Sequence, residues 1–455
     1  MNSAAFEPAS NHPLARTFCG PRDHVFLEED RQAWTVERLL SLAGDIDRAV
    51  PAGTGERVAV RARSAAFIVA SLVGLWKSRR HPLLLDPALG EETAGLGHPG
   101  PRMPMLVPAW EEPGRQDIAV AETGRGGFHP SLPAADDTIL AFFTSGSTGE
   151  PKMVPKRDFQ LQRQYEVEPA WLGLRGPIRS ISLVPLHHIL GYIYGFNLPA
   201  ATGGRVVFLP SSPPSAWIDA VRRERPSLVV GVPLHYRLIS QALTAPLPEA
   251  VYLSSGGPLP ARVADAFAEH AGWPIVQVYG STEAGGVATR VGSDSWRPMP
   301  GLAWHARPDD DRLVIRSPWQ ERPEGWHCLD DVIEPAGDGF ALLGRADSVI
   351  KMGGRRFSVT EVVQAALSSP LVDQAHAVSY DRYGELAVAL FVVARRSVAL
   401  TPADVRSFLA SRLAPFKVPR TIHVLDELPW LGIGKIDELA LRRMAVSDCD
   451  GESRS

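Results

Sequence analysis

Cysteine is scarce here: Cys19, Cys328 and Cys449 are the only three in 455 residues. Their odd number and wide spacing exclude a disulfide framework or a cysteine-based zinc site, and a reducing compartment fits. No excess of one charge is present either, with 47 basic against 51 acidic residues. A bulk field that would recruit nucleic acid or an anionic membrane is therefore excluded, and binding must be local. Long apolar runs are missing as well. The longest apolar-rich segment, Ala65 to Trp76, is broken by Ser71 and Gly74 and falls below the ~20 residues of a membrane span. Met1 to Asn11 carries Glu7 and lacks the basic-then-apolar build of a signal peptide. A cytoplasmic protein without a membrane span is the expectation, and the oligomeric state is open.

What is present is apolar content of 45%, ample for real cores in two or three domains. The 40 prolines and 40 glycines are spread along the chain and predict many ordered turns. Helical spacing runs from Trp34 to Ala49. A strand at Arg57 to Val60, a buried helix from Ala65 to Lys77 and a strand from Pro82 to Leu85 form a βαβ unit. Gly90 to Pro133 reads as a surface connection with short strands. A second series of βα units spans Ser180 to Val278, with strands at 205–208, 227–232, 250–253 and 275–278 and helices at 213–224, 234–243 and 260–270. Short strands from Gly301 to Leu343 predict an all-β subdomain. An α+β domain of about a hundred residues follows, an ordinary domain size. The tail from Ser447 onward is expected to be unstructured. The fold class is α/β: layered βα sheets with a small β-barrel-like subdomain over residues 1–346, and a small α+β domain over 347–455.

Chemistry concentrates in loops at strand ends. The run Ile139 to Phe143 empties into Thr144, Ser145, Gly146, Ser147, Thr148, Gly149 and Lys152. Hydroxyl donors, glycines that admit close backbone approach and one ammonium make a phosphate cradle, although a polar turn between two strands has the same composition. It is not a Walker A loop, whose spacing is absent. Tyr279-Gly280-Ser281-Thr282-Glu283 offers a ring to stack on a base, a hydroxyl for a phosphate and a carboxylate for magnesium; a turn before a helix cap is the plainer alternative. His187 and His188 stand at a strand end before Gly191 and Tyr192, where open α/β sheets place ligands. A structural imidazole remains equally open for either. Gly256 and Gly257 occupy a further carboxyl-end loop. Lys435 lies on a glycine-flanked loop and, taken alone, is a surface lysine.

Together these loops resemble the adenylate-forming superfamily of acyl- and aryl-CoA synthetases, luciferases and peptide-synthetase adenylation domains. The resemblance covers Trp34 to Arg443, with five motifs in the family's order: Thr144 to Lys152, Tyr279 to Glu283, Gly325 to Asp331, Gly344 to Asp347 and Gly432 to Lys435. It implies ATP and Mg2+, with the first motif on the β/γ-phosphates, Thr282 at the α-phosphate and Glu283 holding magnesium. Gly256, Gly257, Tyr279 and Gly280 join the ATP site, and Asp331 and Arg345 bind the ribose. Lys435 would bridge the carboxylate and the α-phosphate. His188 would gate the acid pocket, shared with Gly191, Tyr192 and Gly280. Asp347 matches the hinge about which the small domain turns, and Gly353 and Gly354 would line the pantetheine tunnel. Met153, Leu329-Asp330 and Trp430 to Ile433 depart from the family's usual residues without removing a charge the chemistry needs.

The implied reaction activates a carboxylic acid as acyl-AMP with release of pyrophosphate, then transfers the acyl group to a phosphopantetheine thiol. Apolar and aromatic residues after His188 favour an aromatic, hydroxybenzoate-like acid, and Tyr192, His235 or Tyr236 can bond a ring hydroxyl. An acyl carrier protein is expected as partner by a small margin over free CoA, the alternative being an aryl- or fatty-acyl-CoA synthetase. A non-catalytic nucleotide sensor or scaffold is the reading from another class.

Overall fold

The computed structural model describes residues 12–87, 105–111, 118–145, 151–292, 295–346, 349–352, 355–382, 385–396, 398–431 and 435–452. Two large sheets carry the first part of the chain. One has six strands, in the order Ile118–Val120, Met105–Pro108, Arg57–Arg61, His81–Leu85, Thr138–Ser145 and Pro151–Arg157. The βαβ unit read from sequence lies at its centre, with Arg57–Arg61 and His81–Leu85 paired in parallel. The helix between them, Ala65–Lys77, is apolar around nearly its whole circumference and is buried as such. It packs on the helix Val36–Ala49 so closely that a Cβ on Gly74 would stand 2.5 Å from the Ala43 carbonyl oxygen.

The second sheet has nine strands, with parallel neighbours Ile275–Ser281, Val251–Ser254, Leu228–Gly231, Arg179–Ser182 and Arg205–Phe208 at its heart. Their carboxyl ends turn toward the loops singled out above. A strand that the sequence did not signal, Gly285–Val291, pairs antiparallel with Ile275–Ser281. Its paired glycines look like a breaker, yet Gly285 enters the strand at φ +73° and Gly286 lets a helix pack against bare backbone. The all-β subdomain is an antiparallel sheet of Ala303–Ala306, Arg312–Arg316, His327–Ala336 and Gly339–Arg345.

From residue 359 onward, core side chains pack in two clusters that contain none of the earlier residues. There Val372–Arg382 and Glu385–Ala394 form a long antiparallel pair, joined in parallel by Thr421–Leu425. Thr401 and Asp404 form a reciprocal capping box on the helix Pro402–Ala410. The expected unstructured tail is corrected: the helix Glu438–Glu452 continues past Ser447. It is anchored by Leu441 and Ala445, buried against Tyr380 and Phe391 of the long pair. Among the described residues no helix is long and apolar enough to cross a membrane.

Candidate functional site

Thr138–Ser145 and Pro151–Arg157 form a hairpin in which Thr144 faces Lys152 and Ser145 faces Pro151. Gly146, Ser147, Thr148 and Gly149 fall outside the described residues. Lys152 extends into solvent, and its Nζ stands 3.7 Å from Oε1 of Glu283. That carboxylate sits in the turn Thr282–Ala284, closed by the Ala284 amide donating to Ser281 Oγ at 3.1 Å. The strand before it shifts register between Tyr279 and Gly280. Gly280 is required there, because a Cβ would collide with the Gly285 carbonyl. The expected loop is thus the tip of a β-hairpin.

Lys156 was given no role from sequence and belongs to this cluster. Its side chain is only 1% exposed, and Nζ donates to the main-chain carbonyl of Glu283 at 2.9 Å. Burial lowers its pKa to about 8, against the opposing pull of Glu283 and Glu321. Strand alternation carries the signal that finds it: Lys152, Val154 and Lys156 share one face.

The other end of the same hairpin reaches the ribose motif. Tyr279 donates its hydroxyl to Oδ2 of Asp331 at 2.7 Å, with its ring beside Trp296 and Phe340. Burial first, then the Asp331 charge and hydrogen bond, holds the phenol far above its usual titration range. Asp331 lies opposite Arg345 in the strand pair, and Arg345 reaches Asp330 at 3.5 Å. Gly256, at φ +81°, and Gly257 are exposed on the loop after Val251–Ser254.

A third group gathers around the paired histidines. His188 is exposed, and its carbonyl accepts from the Tyr192 amide at 2.9 Å as a π-helix begins, Gly191–Asn197. Gly191 is pressed against the Val184 and Pro185 carbonyls, where no Cβ fits. His187 is half-buried, its Nε2 3.7 Å from Asp86 and its ring 4.5 Å from His188. Burial and the His188 ring push its pKa down to about 4, Asp86 opposing. Asp86, His187 and His188 offer three ligand atoms within 4.8 Å of one another, a set able to hold a metal ion. Tyr192 is fully buried between Phe142 and Phe196. Tyr236 spends its hydroxyl on the Val229 and Leu253 carbonyls, and Nδ1 of His235 accepts from the Val232 amide. Both are engaged with backbone.

Lys435 starts the short strand Lys435–Ile436, paired with Trp430–Leu431; its side chain lies outside the described residues, as do Asp347, Gly353 and Gly354. The two parts of the chain touch where Arg262 donates to the carbonyls of Val372 and Asp373, at 2.9 and 2.7 Å.

Five consecutive residues, Tyr279 to Glu283, therefore link a carboxylate suited to a ribose diol with an ammonium and a carboxylate suited to a metal-bound polyphosphate. A partly exposed carboxylate beside a lysine is a donor set that fits Mg2+ carried on phosphate oxygens.

Comparison with known proteins places the chain in a family. Residues 101–311 match the AMP-binding enzyme family and residues 361–435 its C-terminal domain. The chain is 30% identical over 355 residues to a feruloyl-CoA synthase of Amycolatopsis sp, covering 69% of this chain and 71% of the relative. It is 30% identical over 341 residues to a probable 2-succinylbenzoate–CoA ligase of Mycobacterium tuberculosis, covering 69% and 86%. The fold superposes on o-succinylbenzoate CoA synthetase from Bacillus subtilis with a TM-score of 0.82 at 19% identity, covering 95% and 97% of the chains.

Proposed function

The chain belongs to the AMP-binding enzyme family of ATP-dependent acid–thiol ligases, and on that premise we propose that it activates an aromatic carboxylic acid and passes the acyl group to the thiol of CoA. The observation that carries the reading is the Tyr279–Glu283 hairpin, with Asp331 at 2.7 Å from one end and Lys152 at 3.7 Å from the other. The aromatic acid is supported by the names of the two 30% relatives, which are ligases of feruloyl and succinylbenzoate substrates. Those names also favour CoA over the acyl carrier protein that the sequence suggested, and nothing in the comparisons supports the carrier.

A carboxylate is a poor electrophile, so its oxygen must first become a leaving group. The acid's oxygen attacks the α-phosphorus of ATP, the bond to pyrophosphate breaks, and an acyl-adenylate remains. The thiol sulfur then attacks the acyl carbon, AMP leaves, and the thiol proton passes to solvent. Asp331 accepts the ribose hydroxyls and Tyr279 fixes that carboxylate. Thr282 faces the α-phosphate, Lys152 and the loop before it meet the β/γ-phosphates, and Lys435 draws the two anions together. Mg2+ on Glu283 supplies charge neutralisation, and the buried Lys156 ammonium holds the Glu283 backbone in place. The small domain, 347–455, turns about Asp347 between the two steps, so that Lys435 vacates the path that Gly353 and Gly354 leave to the thiol.

ATP–pyrophosphate exchange over a panel of aromatic and fatty acids, followed by competition between CoA and holo carrier protein, tests this. Exchange with aromatic acids and thioester formation with CoA are expected. Absence of exchange with every acid would sink the ligase reading for this chain, and exclusive transfer to the carrier would restore the other acceptor.

A further inference from the structure

The helix Asp158–Trp171 buries polar side chains at four-residue spacing: Gln160, Gln164 and Glu168. The first two are settled on backbone. Gln160 donates to the Trp319 carbonyl at 3.2 Å, and Gln164 accepts from the Gly286 amide at 3.1 Å. Glu168 differs. It is 0% exposed; Oε1 accepts from the Tyr194 hydroxyl at 3.0 Å, while Oε2 has no hydrogen-bond partner among the described residues.

It is not alone. The Tyr192 hydroxyl lies near Asn197 without meeting hydrogen-bond geometry, and neither amide atom of Asn197 finds a partner among the described residues. All of them sit on the π-helix Gly191–Asn197 or on the helix it meets, and π-helical turns are rare and frequently occur at functional sites. Orphaned buried polar atoms are rare in native folds and call for an explanation.

Their position supplies one. Gly286 lies opposite Gly280 in the hairpin ladder. A Cβ built on Gly286 would stand 3.1 Å from Glu168 Oε1 and 3.4 Å from the Tyr194 hydroxyl. Gly280, Gly191, Tyr192 and His188 are the residues assigned to the acid. His188 is exposed just before the π-helix, whereas Asn197 at its end and Glu168 beside it are buried. We propose that Glu168, with Tyr192 and Asn197, receives a hydroxyl on the ring of the aromatic acid and so selects hydroxylated over unsubstituted rings. This rests on the reading of the chain as an aromatic-acid ligase. Burial holds Glu168 near a pKa of about 8, so at neutral pH its carboxyl can donate as well as accept, which suits a phenol.

The test is ATP–pyrophosphate exchange with benzoate, the three hydroxybenzoates and the three aminobenzoates, on wild type, Glu168→Leu and Tyr192→Phe, with folding checked by thermal melts. Wild type should favour one hydroxybenzoate over benzoate by about 10- to 100-fold in kcat/KM. Glu168→Leu should collapse that ratio to within about threefold, and Tyr192→Phe, which removes only a hydroxyl, should lower it by about threefold or more. A change in the absolute rate that leaves the ratio intact, in either folded variant, would mark a purely structural cluster and overturn the inference. So would a wild type that treats benzoate and hydroxybenzoates alike, or one that favours an aminobenzoate tenfold over every hydroxybenzoate. If no aromatic acid supports exchange but fatty acids do, the aromatic reading itself falls, which separates its failure from that of Glu168.

Discussion

Lys152 stands mostly exposed and Glu283 partly so, each facing an opposite charge, whereas Glu168 lies wholly buried with one carboxylate oxygen unpartnered among the described residues. The first pair suits a highly charged ligand that brings its own counterions and is common to every turnover. The second suits a neutral polar group on a ligand that must be told from its analogues, because a buried group left unpaired penalises the wrong substrate. Hence the two sides of the site should fail differently. Damage on the nucleotide side should slow all acids alike, and damage on the acid side should reorder them.

The largest expected break of that pattern is Lys435→Ala. It should lower adenylation by about 10²- to 10³-fold for every acid, with thioester formation from supplied acyl-adenylate nearly intact. Single-turnover measurement of each half-reaction checks it, and equal loss in both would remove the assigned role. Next comes Lys156→Met, which keeps the apolar stem and removes the ammonium on the Glu283 carbonyl. About a 10-fold rise in the KM for MgATP is expected, with the KM for the acid unmoved, since the carbonyl it holds belongs to the magnesium loop. Steady-state kinetics with each substrate varied in turn would show it; a rise for the acid instead would place Lys156 on the other side of the comparison.

The same contrast governs what could be read in advance. The βαβ unit and the parallel strands of the second sheet were legible because buried strands are short apolar runs and their helices keep a 3.6-residue period. The nucleotide motifs were legible because their residues are consecutive: Tyr279 to Glu283 reaches both Asp331 and Lys152 from one hairpin. Lys156 was within reach through strand alternation alone. Glu168 was not. In the sequence it is one more charged residue of a helix that also carries Arg163 and Glu166 on its outside, and only the bare backbone of Gly286 and the tyrosines of a π-helix reveal it as buried. The strand Gly285–Val291 was missed for a related reason, its glycines serving a packing partner far away in the chain.

The smallest expected effect isolates the buried carboxyl from catalysis altogether. Burial raises Glu168 from its ordinary value of 4.5 to about 8, the Tyr194 hydrogen bond opposing. A raised carboxyl means that the folded state binds a proton the unfolded chain has released. Its contribution to stability is therefore complete below about pH 4.5 and is lost as pH rises through about 8. Glu168→Gln, neutral at every pH, removes this dependence. Between pH 5 and 8 the wild type should lose stability relative to the variant by up to about 1.4 kcal/mol per pH unit. Thermal melts across that range should thus show a difference of a few degrees per unit, the variant gaining as pH rises. Parallel melting curves would mean that Glu168 is already ionised in the fold, and the acid side would then present a charge to its ligand just as the nucleotide side does.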